Sequence, residues 1–222
     1  MSPTDPSKQA GADPAGDAQP KNAPPARAIL IAIGLVLAVM LGVLAFRSGG
    51  SPAGPTATGE AAIGGPFAMT DAEGRPVDQR LLQGKWSAVF FGYTYCPDVC
   101  PATLTTLAAA QTRLGDRGRD LQTVFVSVDP ERDTPAQLKS YLASPAFPKP
   151  VVGLTGTAEQ LAAIAKAYKV YYAKNGDGPG YLMDHNSAIY LMNPKGGFVR
   201  LIRPDASPAE MAKELGAAMQ RS

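Results

Sequence analysis

The chain has two cysteines and one histidine in 222 residues. Two cysteines cannot build the multi-disulfide framework of a small secreted domain, nor the four-cysteine form of a structural zinc site. A single imidazole means that any metal or acid–base chemistry requiring histidine rests on His185. An excess of charge of one sign is lacking too, because 21 Lys and Arg stand against 19 Asp and Glu, a formal net charge of +2. Without a basic footprint, nucleic acid is not an expected partner.

Ala28 to Phe46 form 19 consecutive residues without a charge, bounded by Arg27 and Arg47. At ~1.5 Å per residue this run matches the core of a bilayer, and it exceeds the roughly 7–15 apolar residues of a signal peptide. A transmembrane helix over 28–46 is therefore expected, although Val43-Leu44-Ala45 is a tolerable cleavage context. Lys8, Lys21 and Arg27 precede the run, and Arg47 alone follows it before Arg75. The positive-inside rule then predicts a cytoplasmic tail and an external carboxyl-terminal domain. Asp5, Asp13 and Asp17 argue against a mitochondrial presequence, so the expected location is a bacterial inner membrane with the domain in the periplasm. Gly34, Ala38 and Gly42 share one face of this helix, where a second helix could approach.

Around the span, residues 1–27 are rich in Pro, Ala and Asp and read as a disordered tail, and residues 47–64 read as a flexible tether. The folded domain is expected over 65–222. Its start suggests a hairpin, with Ala72-Glu73-Gly74 as the turn. Trp86–Gly92 and Leu121–Val128 are near-continuous apolar runs, as in strands buried on both faces. Helical spacing follows Cys100 up to Leu114. Thr134-Pro135-Ala136-Gln137, Thr157-Ala158-Glu159-Gln160 and Ser207-Pro208-Ala209-Glu210 each open a helix, the first expected to carry a full capping box. A short strand is expected over Val170–Ala173. Ser187–Met192 and Phe198–Ile202 flank the turn Asn193-Pro194-Lys195-Gly196-Gly197. The order predicts an α/β sheet of mixed strand direction with helices on its faces, the layout of a thioredoxin-like fold with an N-terminal hairpin. In such sheets the reactive edge lies beyond the carboxyl ends of the strands.

Both cysteines lie just there, in Tyr95-Cys96-Pro97-Asp98-Val99-Cys100-Pro101. Pro101 suits the start of a helix, so a thiolate at Cys100 is expected to feel the positive helix end and have a lowered pKa. Three readings of the pair stand: a structural disulfide, a soft-metal clamp, or a redox couple. Two thiolates suit Cu(I) or zinc, and one added imidazole makes a three-coordinate set that Cu(I) accepts and structural zinc does not. His185, in Asp184-His185-Asn186-Ser187, is expected at a loop–strand junction on the sheet rim. Asp98 is expected to bond a loop amide. Asp129, at the carboxyl edge of the sheet, is read either as orienting a ligand or partner or, together with Asp133, as bonding backbone or Arg132 in the turn before Thr134, the second reading being preferred.

Taken together, Phe91-Gly92-Tyr93-Thr94-Tyr95-Cys96-Pro97-Asp98-Val99-Cys100-Pro101, Val128-Asp129-Pro130-Glu131-Arg132-Asp133-Thr134-Pro135 and Asp184-His185-Asn186-Ser187 resemble the Sco/SenC family, membrane-anchored assembly factors for the copper site of cytochrome c oxidase. The likeness spans nearly the whole domain. It implies a thioredoxin variant that binds copper, Cu(I) and also Cu(II), through Cys96, Cys100 and His185. The implied partners are the copper-site subunit of cytochrome c oxidase, a periplasmic copper donor and a thiol reductase. The expected function is that of a copper metallochaperone. The rival is a thiol–disulfide oxidoreductase in which Cys96 and Cys100 reduce the acceptor's copper-site cysteines.

Overall fold

In the computed structural model of the chain the described residues are 30, 31, 35, 37–40 and 63–220. Leu30, Ile31, Leu35 and residues 37–40 are helical, and among the described residues no helix is long and apolar enough to cross a membrane. The expected tail, nearly all of the tether, and most of the expected span with its Gly34 and Gly42 lie outside the described residues.

The carboxyl-terminal unit grows from its most apolar segments. Strand β3 (Trp86–Gly92) and strand β4 (Leu121–Ser127) are buried at all seven positions each. They pair in parallel from Trp86–Leu121 to Gly92–Ser127. Parallel neighbours require a crossover, supplied by helix α1 (Val99–Arg113) and a 3-10 turn (Gly115–Asp120). A second crossover through helix α2 (Pro135–Leu142) brings β5 (Val151–Thr155) parallel to β4. The hairpin of β1 (Ala68–Asp71) and β2 (Pro76–Asp78) adds antiparallel to β5, and that of β8 (Ile189–Met192) and β9 (Phe198–Ile202) adds antiparallel to β3. The seven-stranded order is β2-β1-β5-β4-β3-β8-β9. Helix α3 (Ala158–Tyr168) contacts β1, and α4 (Pro208–Met219) packs on α1. Phe90, Phe91, Phe125, Leu104, Leu107, Leu154, Ile164 and Tyr168 are fully buried between these layers. This is a thioredoxin-like arrangement, as expected.

Local chemistry explains the element ends. In the first hairpin the Asp71 carboxylate accepts the N–H groups of Glu73 (3.0 Å) and Arg75 (2.8 Å), while Gly74 takes a φ of 79°. Capping boxes start α3 at Thr157 and α4 at Ser207. At α2, Thr134 accepts the Gln137 N–H, but the expected box stays open because the Gln137 side chain donates instead to Thr94 Oγ1 at 3.2 Å. That bond leads to the cysteine loop.

Two strands were not expected. β5 is short and carries Gly153, whose missing side chain matters: a Cβ there would meet the Leu142 side chain at 2.6 Å, so glycine lets α2 lie close on the sheet. The strand expected at Val170–Ala173 runs instead as β6 (Tyr172–Asn175), antiparallel to an unexpected β7 (Leu182–His185). These two form a separate two-stranded ribbon outside the main sheet.

Candidate metal centre

The first half of the centre hangs from the end of β3. There the Cys96 N–H closes a turn onto the Tyr93 carbonyl at 3.3 Å. Helix α1 then begins at Val99 with Asp98 at its cap, so Cys100 falls inside the first turn rather than ahead of the helix. Its side chain is fully buried, whereas Cys96 is half-buried, and both thiols are free. Room for Cys100 comes from Gly92, where a Cβ would stand 2.9 Å from the sulfur and 2.8 Å from the Phe125 ring. Asp98 makes no side-chain cap bond to the helix.

This placement reverses the expected division of labour between the thiols. Cys100 is pushed up, first by its hydrogen bond with the Cys96 sulfur and then by burial. Cys96 is lowered to about 5, first by the proton shared from Cys100 and further, against burial, by the N–H groups of Cys100 and Asp98. The Cys100 N–H donates to Cys96 Sγ at 3.4 Å. The positive end of α1 therefore serves Cys96, three positions before the first helical residue, because that sulfur faces the N–H groups at the helix start.

The second half comes from the ribbon. His185 is the last residue of β7 and pairs with Tyr172 of β6. Its Nδ1 lies 3.0 Å from the Asn186 carbonyl oxygen. A carbonyl can only accept, so Nδ1 carries a proton, and in the neutral ring that leaves Nε2 as the nitrogen with a free lone pair. That nitrogen lies 3.8 Å from Cys100 Sγ, across 85 positions of sequence. The Tyr93 ring stands edge-on to the imidazole, 5.9 Å between centroids. Tyr93, Cys96, Pro97, Asp98, Met183 and His185 border an open cleft of about 330 Å³.

The donor set suits a soft ion. Metal–sulfur and metal–nitrogen bonds of about 2.3 and about 2.0 Å sum to more than the observed sulfur–nitrogen separation, so both atoms can reach one ion. Among the described residues, no three His, Cys, Asp or Glu side chains stand close enough together to hold a metal ion as they are placed. The centre is thus two donors packed in a loop and a third presented from another element.

Asp133 and Asp129 do more than serve their turn. Asp133, fully buried, accepts the Thr94 hydroxyl (2.6 Å), the Thr94 N–H (3.1 Å) and the Ser127 hydroxyl (2.6 Å), which fixes the residue two before Cys96. Burial raises its pKa, against these lowering hydrogen bonds. Asp129 accepts the Tyr181 hydroxyl at 2.6 Å and pairs with Arg132 at 2.5 Å. Tyr93, Thr94 and Tyr181 have no role of their own in the sequence reading, and Gln137 has only that of a helix cap. Their only signal there was proximity to a motif, because each contact crosses between distant segments.

The chain matches the SCO1/SenC family model over residues 55–220. It is 45% identical over 164 residues to the protein SenC of Rhodobacter capsulatus, covering 72% of this chain and 72% of that protein. To the mitochondrial SCO1 homolog 1 of Arabidopsis thaliana it is 44% identical over 149 residues, covering 66% of this chain but only 44% of the plant protein. Among solved structures, a copper-bound ScoI of Bradyrhizobium japonicum is similar with a TM-score of 0.63 and 41% identity, covering 71% of this chain and 99% of that one. The chain belongs to the SCO1/SenC family.

Proposed function

We propose that this SCO1/SenC-family protein is a copper metallochaperone, with Cys96, Cys100 and His185 as its ligands. The observation that carries the reading is the meeting of the Cys96/Cys100 loop with His185 Nε2, 3.8 Å from the Cys100 sulfur. The copper-bound relative from Bradyrhizobium japonicum supports the choice of ion, and two thiols with one neutral imidazole match the preference of Cu(I). Cys96 arrives already inclined to the thiolate form, Cys100 surrenders its proton on binding, and the Asn186 carbonyl holds His185 in the tautomer that can ligate. The open cleft beside Cys96 leaves space for an acceptor's thiolates to replace these donors one at a time. The family likeness supports the copper-site subunit of cytochrome c oxidase as acceptor, with a periplasmic donor and a thiol reductase upstream. The domain organisation proposed is a tail over 1–27, a membrane helix over 28–46, a tether over 47–64 and the copper domain over 65–222. The anchor is placed in a bacterial inner membrane with the copper domain in the periplasm, where it would keep donor and acceptor in one plane and raise their effective concentration.

A competitive Cu(I) titration of the reduced full-length protein in detergent tests this. Cys96→Ser and Cys100→Ser should each abolish tight stoichiometric binding, and His185→Ala should weaken it by roughly 10- to 100-fold. Tight one-to-one binding retained in both serine variants sinks the reading.

The lowered, half-exposed Cys96 thiol favours a second reading, thiol–disulfide exchange. Cys96 would attack one sulfur of the acceptor's disulfide and form a mixed disulfide as the other acceptor thiolate leaves and takes a proton. Cys100 would then release the second acceptor thiol and close a Cys96–Cys100 disulfide, so the acceptor gains two electrons and this chain loses them. That route needs both cysteines and no imidazole. Full cellular function of His185→Ala would favour it over copper delivery.

A further inference from the structure

Three loops converge on Arg132, and they are the three that build or brace the centre. Its Nε pairs with Asp129 Oδ2 at 2.5 Å, within the loop after β4. Its Nη1 donates to the carbonyl oxygens of Tyr181 (2.9 Å) and Pro179 (3.4 Å), both in the turn that leads into β7. The guanidinium carbon stands 3.5 Å from the Tyr181 ring centroid, 4.7 Å from that of Tyr95 and 5.9 Å from that of Tyr93. Tyr93 and Tyr95 belong to the cysteine loop. The Tyr181 hydroxyl closes the circle on the second oxygen of Asp129. Nη2 is buried with no hydrogen-bond partner among the described residues, so part of this cation is held by aromatic faces in place of oxygen acceptors.

The position of this hub matters because of what the ribbon lacks. β6 and β7 form their own two-stranded sheet and do not pair with the seven strands that carry the thiols. His185 is joined to the main sheet by the short link 186–188 into β8, and the rest of the ribbon is held against the loops by contacts between them, so the reach of His185 toward Cys100 depends on both. Arg132 supplies several of these contacts, on the entry to β7, while the imidazole sits at its exit. We propose that Arg132 is a positioning residue for the metal centre, clamping the cysteine loop to the β6–β7 ribbon so that His185 stays within ligand distance of the thiols. The proposal rests on the copper reading above and adds to it a determinant of whether copper is held by two donors or by three. The phenol of Tyr181 and the carboxylate of Asp129 are the fixed points against which the clamp works.

The test uses the full-length protein in detergent, with Arg132→Met and Arg132→Lys. Copper-edge X-ray absorption of the Cu(I)-loaded wild type is expected to show two sulfurs and one nitrogen. Arg132→Met should keep both sulfurs, lose the nitrogen, and bind Cu(I) about 10-fold or more weakly. In a His185→Ala background the same substitution should cost almost nothing further, since the ligand it positions is already gone. Arg132→Lys keeps the charge beside Asp129 but not the fork to the two carbonyls, so it should lose less, and it guards against a Met variant that fails to fold. The clamp is overturned if the nitrogen and the affinity survive in both variants, or if the Arg132 and His185 losses simply add. If the wild type takes no copper, the copper reading fails by itself. The clamp is then judged in the metal-free protein by amide exchange over residues 182–186: faster exchange in Arg132→Met upholds it and unchanged exchange overturns it.

Discussion

Cys96 and Cys100 hang from β3, an interior strand with a neighbour on each side, whereas His185 hangs from β7, half of a two-stranded ribbon. The thiols are placed by backbone: a parallel ladder up to Gly92, then the first turn of α1. The imidazole is placed by the Arg132 hub and the Tyr93 ring together with the backbone carbonyl of Asn186. A centre assembled in this way has one stiff half and one adjustable half. Such a division suits a site that must first hold an ion and then give it up, because a single donor can withdraw without disturbing the core that seats the other two.

The largest effect should come from attacking the stiff half at its buried polar anchor. Asp133→Ala leaves the Thr94 N–H, the Thr94 hydroxyl and the Ser127 hydroxyl without their acceptor, at a cost of about 3 kcal/mol or more. Urea unfolding would read this, and a loss below about 1 kcal/mol would show that the loop does not depend on the carboxylate. Next is Gly92→Ala, whose new methyl would press on Phe125 and on the Cys100 sulfur. It should cost about 1–3 kcal/mol and weaken Cu(I) binding at the same time, since the clash is with a proposed ligand. Unchanged affinity beside lost stability would separate the thiol from the packing around it.

The adjustable half should respond differently. Tyr181→Phe removes the hydrogen bond to Asp129 and the longer one to Glu131 at 3.4 Å, and should lower stability by only about 1 kcal/mol. Its effect should be concentrated in the ribbon, as faster amide exchange in β7 with β3 unchanged. Equal acceleration in both strands would erase the distinction between the halves.

The smallest effect expected is a pH dependence. Burial, outweighing the hydrogen bonds from Ser127 and Thr94, raises Asp133 above the ordinary aspartate value of 3.8. The folded state then keeps a proton that the unfolded chain has released. Stability should fall as pH rises through a window that opens at 3.8 and closes at the folded value. Asp71 has the opposite sign: burial would raise it, but the N–H groups of Arg75 and Glu73 and the Arg75 guanidinium overcome that and lower it. Its contribution is present above 3.8 and fades as pH falls through its lowered folded value. Denaturation midpoints from about pH 3 to about pH 7 should lose the first trend in Asp133→Asn and the second in Asp71→Asn. Identical profiles for wild type and both variants would contradict the assignments.

Much of the fold was legible because its signals are local. β3 and β4 read as apolar runs, and α3 and α4 announced themselves through Thr157 and Ser207 caps that the structure retains. β5 escaped because it is five residues long and interrupted by Gly153, whose purpose is visible only once Leu142 lies over it. β7 escaped because Leu182-Met183-Asp184-His185 pairs with a ribbon partner and has no buried run of its own. Gln137 was read as closing a cap, since nothing near it in sequence shows that Thr94 competes for its side chain. Likewise the helix start favoured Cys100 as the acidic thiol, and the actual first turn, beginning at Val99, transferred that property to Cys96.

The sequence by itself determined the thioredoxin-like layout and two thiols at a strand-to-helix junction. Strand burial and helix entry follow from residues within a few positions of one another, so a linear reading recovers them. Only the tertiary structure decided which thiol is the more acidic, how Asp133 anchors the loop, and that Arg132 joins the loop to the ribbon. It also brought His185 Nε2 to within 3.8 Å of a sulfur 85 positions away. Those outcomes depend on burial and on distances between segments far apart in the chain. Both arise from closing the fold, and neither is encoded at any one position.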